Sequence, residues 1–213
     1  MDRSASANRD RLPVPRPGRG RWDRSVPGDR RHEIHRRRLL DATRAAVAAV
    51  GAATTATQVV GLAGVGRNTF YEHFQNVEGA VAAAYRETLD EIRQTIDDAV
   101  GAARTPIEGL RALTTAWLAA APLHSGVLLA ALSGGDAERD ARALLRREIE
   151  DQLWSALASA RAAGVVGIRV EPVRLACVAG AFERAAVDIA DDGETDTARM
   201  VETLVDVTLR AFR

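Results

Sequence analysis

Lysine is absent from this 213-residue chain, cysteine occurs once, and aromatic residues make up only 4% of it. A single cysteine excludes an intramolecular disulfide framework. Free cysteine is most often a small buried hydrophobe, so Cys177 is expected in a core rather than as a reactive thiol. No apolar run reaches the roughly 18 residues of a membrane-spanning helix. The basic N-terminus is not followed by the apolar stretch of a secretion signal, so a cytoplasmic location is expected. With few aromatics, much alanine, and apolar residues recurring every three or four positions, the pattern favours helices over strands.

The 29 basic residues, all arginine, balance 29 acids, but not evenly. Residues 1–38 carry 12 Arg against 5 acids, and the rest carry 17 against 24. A basic leader on an acidic body points to a polyanionic partner at one end, or simply to a solvated tail. Within residues 1–30, Pro13, Pro15, Pro17 and Pro27 and several glycines stand among the arginines. That mixture has too little apolar surface to offset the entropy of ordering, and the segment is expected to be disordered.

Residues 32–50 then read as a helix, with Leu39, Thr43, Ala46 and Val50 in one stripe and Leu40 and Val47 beside it. Thr55 followed three positions later by Gln58 has capping-box spacing. Ala56, Val59, Val60 and Ala63 give the i, i+3, i+4, i+7 pattern of a short amphipathic helix. Gly64 stands where the chain needs a residue tolerant of positive φ to leave that helix. A second short helix is expected over 67–74. Further helices are predicted over 77–102, 106–121, 123–132, 136–163, 171–190 and 195–212, with breaks at Pro106, Pro122, Gly134-Gly135, Gly164 with Gly167, and Gly193. The chain reads as all-α.

Two short helices joined by a glycine turn, after a longer one, form a helix-turn-helix, in which the second short helix enters the major groove. Leu39, Val59, Leu62, Val65, Phe70 and Phe74 suit the small core behind it. Arg67, Asn68 and Tyr71 share the outward face. Arg67 can donate twice to guanine and Asn68 can pair with adenine. Tyr71, Thr69 and His73 carry donors for phosphate oxygens, and Thr55, at an open helix N-terminus, can take another. Glu72 fits poorly, since it accepts from cytosine at best and repels phosphate otherwise.

Thr54-Thr55, then Ala63-Gly64-Val65, then Thr69-Phe70-Tyr71-Glu72-His73-Phe74 together resemble the signature of the TetR family of transcriptional regulators. The resemblance covers about residues 32–85. It implies phosphate contacts by the residues at Thr55, Thr69, Tyr71 and His73, and base or phosphate contact at Arg67. Two positions depart from the pattern. Gly66 replaces the usual Ser or Thr that caps the reading helix, and Val77 replaces a Lys that approaches phosphate. The arginine-rich leader is a means of restoring that lost contact, as an arm along the backbone or in the minor groove.

Beyond the leader (1–30), the resemblance implies a helix-turn-helix DNA-binding domain (31–77) and a helical ligand-binding and dimerisation domain (78–213). The homodimer would form through the last two helices, 171–190 and 195–212, which begin at Glu171 and Thr195 and end at Ala190 and Phe212. Their apolar stripes are Leu175, Val178, Phe182, Ala186 and Ile189, then Met200, Leu204, Val207 and Phe212; the same stripes would equally close an intramolecular core. Trp117, His124, Leu128, Leu132, Trp154, Cys177 and Phe182 are the residues expected to line a cavity for a small apolar or amphipathic effector, or else to fill a core. His32, His35, His73 and His124 are scattered, no carboxylate pair or cysteine completes a metal set, and no phosphate loop is present. Neither an enzyme nor a cofactor is expected. The partners expected are a double-stranded DNA operator, a small-molecule effector and a second copy of the chain, without a membrane. An alternative is a helical small-molecule or partner-binding protein with a weakened DNA-binding module.

Overall fold

The computed structural model describes residues 28–126, 136–167, 170–191 and 195–212. Among these residues all regular structure is helical. The elements are α1 (Gly28–Val50), a single 3-10 turn (Gly51–Ala53), α2 (Ala56–Ala63), α3 (Arg67–His73) and α4 (Val77–Gly101). After these come α5 (Pro106–Leu123), α6 (Asp136–Ala162), α7 (Pro172–Asp191) and α8 (Thr197–Ala211). No described helix is long and apolar enough to cross a membrane.

Local chemistry explains most of the boundaries. Thr105 caps α5 by accepting from the Glu108 amide at 3.2 Å, with Pro106 in the first turn where its missing N–H costs nothing. Asn76 caps α4 through the Gly79 amide at 2.7 Å, and Asp196 caps α8 through the Arg199 amide at 3.0 Å. Against the expected break, Pro122 lies inside α5; the helix runs through it to Leu123, and His124 closes the turn onto the Ala120 carbonyl at 3.0 Å. A proline so near a helix end forfeits one terminal hydrogen bond rather than a ladder. Most of the helix expected over 123–132 lies outside the described residues, Leu128 and Leu132 included.

The helices enclose two main cores. The first gathers Leu39 and Leu40 of α1, Val59 of α2, Phe70 and Phe74 at α3, and Ala80, Ala83 and Ala84 of α4. Leu62 is absent from it and half-exposed, against expectation. The inward stripe of α2 is Ala56, Val59, Val60 and Ala63, and Leu62 lies about a third of a turn off its centre. The second core joins Ile92 and Ile96 of α4 to Leu110 and Leu118 of α5, Leu153 and Leu157 of α6, Phe182 of α7, and Leu204 and Phe212 near α8. At about 1.5–3 kcal/mol for each large side chain fully removed from water, such cores supply the main drive to fold.

Three further contacts fix the helices against one another. Arg44 of α1 reaches Glu87 at 2.7 Å and Glu91 at 2.9 Å, both on α4. Gly126 passes so close to α1 that a Cβ there would stand 2.1 Å from the Ala48 Cβ and 2.8 Å from its Cα, so only glycine fits. Between α6 and α7, Arg146 meets the buried carboxylate of Glu183 with two hydrogen bonds of 2.9 Å.

Candidate nucleic-acid interface and the helical body

The helix-turn-helix forms as its residues dictate. The Thr55 hydroxyl accepts from the Gln58 amide at 3.3 Å, and the Gln58 side chain accepts from the Thr55 amide at 2.8 Å, a complete capping box. Gly64 ends α2 at φ +64°, the left-handed conformation that costs any other L-residue strain. α3 then starts from Gly66 with no side-chain cap. Phe70 points into the core with no exposed surface, while Arg67, Asn68 and Tyr71 lie on the outward side. The Arg67 guanidinium stands 5.9 Å from the centre of the Tyr71 ring, within cation–π range. Thr69 is half-buried beside this face, and Thr55 is exposed at the α2 N-terminus. The outward side thus presents a guanidinium, an amide and a phenol from adjacent turns, donors suited to base edges and phosphate oxygens.

His73 sits differently from its neighbours. Its ring packs on His32 of α1 with centroids 4.0 Å apart, and both ring nitrogens are enclosed with no hydrogen-bond partner among the described residues. Burial lowers its pKa, helped by the charges of His32, His35 and Arg36 and opposed by Glu72. The Arg36 guanidinium lies 5.4 Å from the Phe74 ring centre. Sequence reading missed this seam between α1 and the end of α3, although the i, i+4 spacing of His32 and Arg36 marks one face of α1. Val77, standing where the family pattern has a lysine, packs against the first core instead of presenting a charge.

Of the residues expected to line an effector cavity, the described ones (Trp117, His124, Trp154, Cys177 and Phe182) do not come together as one group. Trp117 and Phe182 do meet: the indole N–H donates to the Phe182 carbonyl at 3.3 Å, and both side chains are buried. They border a void of only about 10 Å³, shared with Ile96, Leu113 and Ile149. His124 is half-buried elsewhere, at the end of α5. Its pKa is lowered, first by burial and then by Arg44, against the raising effect of Glu91. Trp154 is half-exposed on α6, and Cys177 is exposed on α7 rather than buried. The outward face of α7 takes in Val173, Cys177 and Arg184, so the cysteine falls off the buried stripe.

That buried stripe, Leu175, Val178, Phe182, Ala186 and Ile189, is packed within the chain's own second core. On α8, Leu204 and Phe212 are likewise internal and Met200 is half-buried, while Val207 is 43% exposed. Among the described residues no group of His, Cys, Asp and Glu could hold a metal ion.

No family model matches the chain, and no curated protein matches it in sequence. Solved structures do. The fatty acid degradation regulator FadR from Bacillus halodurans superposes with a TM-score of 0.71 at 16% identity, covering 83% of this chain and 99% of that one. FadR from Bacillus subtilis, solved in complex with stearoyl-CoA, gives 0.70 at 13% identity, with 83% and 99% covered. A TetR-family regulator from Rhodococcus sp. gives 0.68 at 20% identity, with 85% and 100% covered. The structural neighbours are TetR-family transcriptional regulators, and this chain has their fold across most of its length.

Proposed function

We propose that the chain is a ligand-responsive, DNA-binding transcriptional regulator that acts as a homodimer. The observation that carries this reading is the α2–Gly64–α3 unit, capped at Thr55 and anchored by Phe70, with Arg67, Asn68 and Tyr71 outward. The neighbours' description as regulators supports it, and the stearoyl-CoA complex of the Bacillus subtilis protein supports a small-molecule effector in general. In this reading the protein is a repressor released from a palindromic operator, whose half-sites match the spacing of two reading helices. The outward faces of α7 and α8, with Val173, Cys177 and Val207, are the surfaces left for a second copy, because the apolar stripes behind them are already used internally.

Arg67 and Asn68 read bases, while Thr55, Thr69 and Tyr71 hold the backbone. His73 joins them only by leaving His32. Electrophoretic shift with the intergenic DNA upstream of the coding sequence tests the reading, and no shift at low salt would sink it. That outcome would favour a helical binding protein with a weakened DNA module, to which the core-facing Val77 and uncapped Gly66 would belong. Given a shift, Tyr71→Phe should weaken binding on every sequence, and Asn68→Ala should relax preference at one base pair by about 1–3 kcal/mol. Uniform weakening by both would refute the division of roles.

A further inference from the structure

The void beside Trp117 and Phe182, at about 10 Å³, holds one water molecule at most. An effector of drug-like size cannot enter it without parting the second core. The chain offers such a volume elsewhere. At the seam between the helix-turn-helix and α6, a groove of about 420 Å³ is bounded by α1 and the Gly51–Ala53 turn on one side and by α4 and α6 on the others. That volume lies within the roughly 300–1,000 Å³ of small-molecule sites. Its walls are mainly apolar, among them Val47, Val81, Tyr85 and Leu144. The charged side chains lining it are Glu78 and Asp140, both exposed and neither in an ion pair among the described residues.

We infer that this groove is the effector site, and that it takes an organic cation with an apolar body. An apolar occupant displaces water from the two carboxylates and strengthens their attraction for a positive centre. An anionic amphiphile meets two like charges and, among the described lining residues, no arginine. The apolar walls exclude a bare metal ion, which would find no coordinating set there. Because α1 and α6 both border the groove, an occupant touching both favours one placement of the DNA-binding unit over others, which is the differential contact that a ligand-driven shift requires. The regulatory part of this inference rests on the DNA-binding reading above; the site and its charge preference do not.

The test uses the full chain in isothermal titration calorimetry with tetraphenylphosphonium and tetraphenylborate, which are nearly the same size and opposite in charge. The phosphonium should bind at one site per chain and the borate at least tenfold more weakly. Glu78→Gln with Asp140→Asn should weaken the phosphonium at least tenfold while the chain still melts in one cooperative transition, only slightly lower for the lost charge in the first turn of α4. Ala82→Trp, which fills the groove from α4, should abolish binding. Equal binding of the two ions, no phosphonium binding, or an affinity unchanged by the double substitution would overturn the proposal. A chain that binds phosphonium but shifts no DNA would remove the regulator reading and keep the site. A chain that shifts DNA and ignores phosphonium would do the reverse.

Discussion

The two cores of this chain are built by different means. In the first, each short element is set by a local device: the Thr55–Gln58 box, the left-handed Gly64, the Asn76 cap. Little freedom is left for Phe70 and Phe74 once those devices are in place. In the second, long helices with few internal signals are sorted by tertiary packing, and the Arg146–Glu183 pair is its clearest polar constraint. A core assembled from local signals is legible residue by residue. One assembled from long stripes is legible only as stripes.

The comparison breaks most visibly at the largest side chains. Phe70→Ala and Phe182→Ala, each fully buried, should each cost about 3–5 kcal/mol in denaturant unfolding. They should part in function, with Phe70→Ala abolishing DNA binding and Phe182→Ala sparing it below the melting temperature. Equal loss of DNA binding in both would mean that the cores are not separable. Gly126→Ala probes their junction. Its methyl collides with the Ala48 backbone, so a loss of about 1–3 kcal/mol is expected, and a variant as stable as the parent would show that the contact yields.

Acid should weaken both regions. His73 and His124 have pKa values lowered from 6.5, foremost by burial, so the unfolded chain takes up protons more readily. Stability is full above that unfolded value, declines as the pH falls below it, and levels off beneath the folded values. Urea midpoints at pH 7.5 and 5.5 should therefore differ, and His73→Asn and His124→Asn should each shrink the difference; two unchanged slopes would contradict the enclosure of these rings. Gly66→Ser has the smallest effect. A Cβ there meets nothing nearer than the Thr69 hydroxyl at 3.9 Å, so a new cap should add a few tenths of a kcal/mol to the melting free energy.

What was legible in the sequence follows the same divide. Thr55, Gly64 and the outward placement of Arg67, Asn68 and Tyr71 could be read because each depends on neighbours within four positions. Leu62, Cys177 and Trp154 could not, because apolar character does not say which side of a helix another helix will cover. The stripe ending in Phe182 was visible as a stripe, yet its closing on Trp117 with almost no space between them depends on packing across 65 positions. His73 fell between the two cases: its place on α3 was local, but its enclosure needed His32 from another helix.

The twenty-five residues of α4 carry Ala80, Ala83 and Ala84 into one core and Ile92 and Ile96 into the other. This governs where the chain can be cut or grafted. A fragment ended at residue 76 would keep Leu39 and Phe70 but strip away the alanines that cover them, and it should aggregate rather than fold. A chimera placing this reading head on a foreign body would have to splice inside a continuous helix, in register, beyond Ala84.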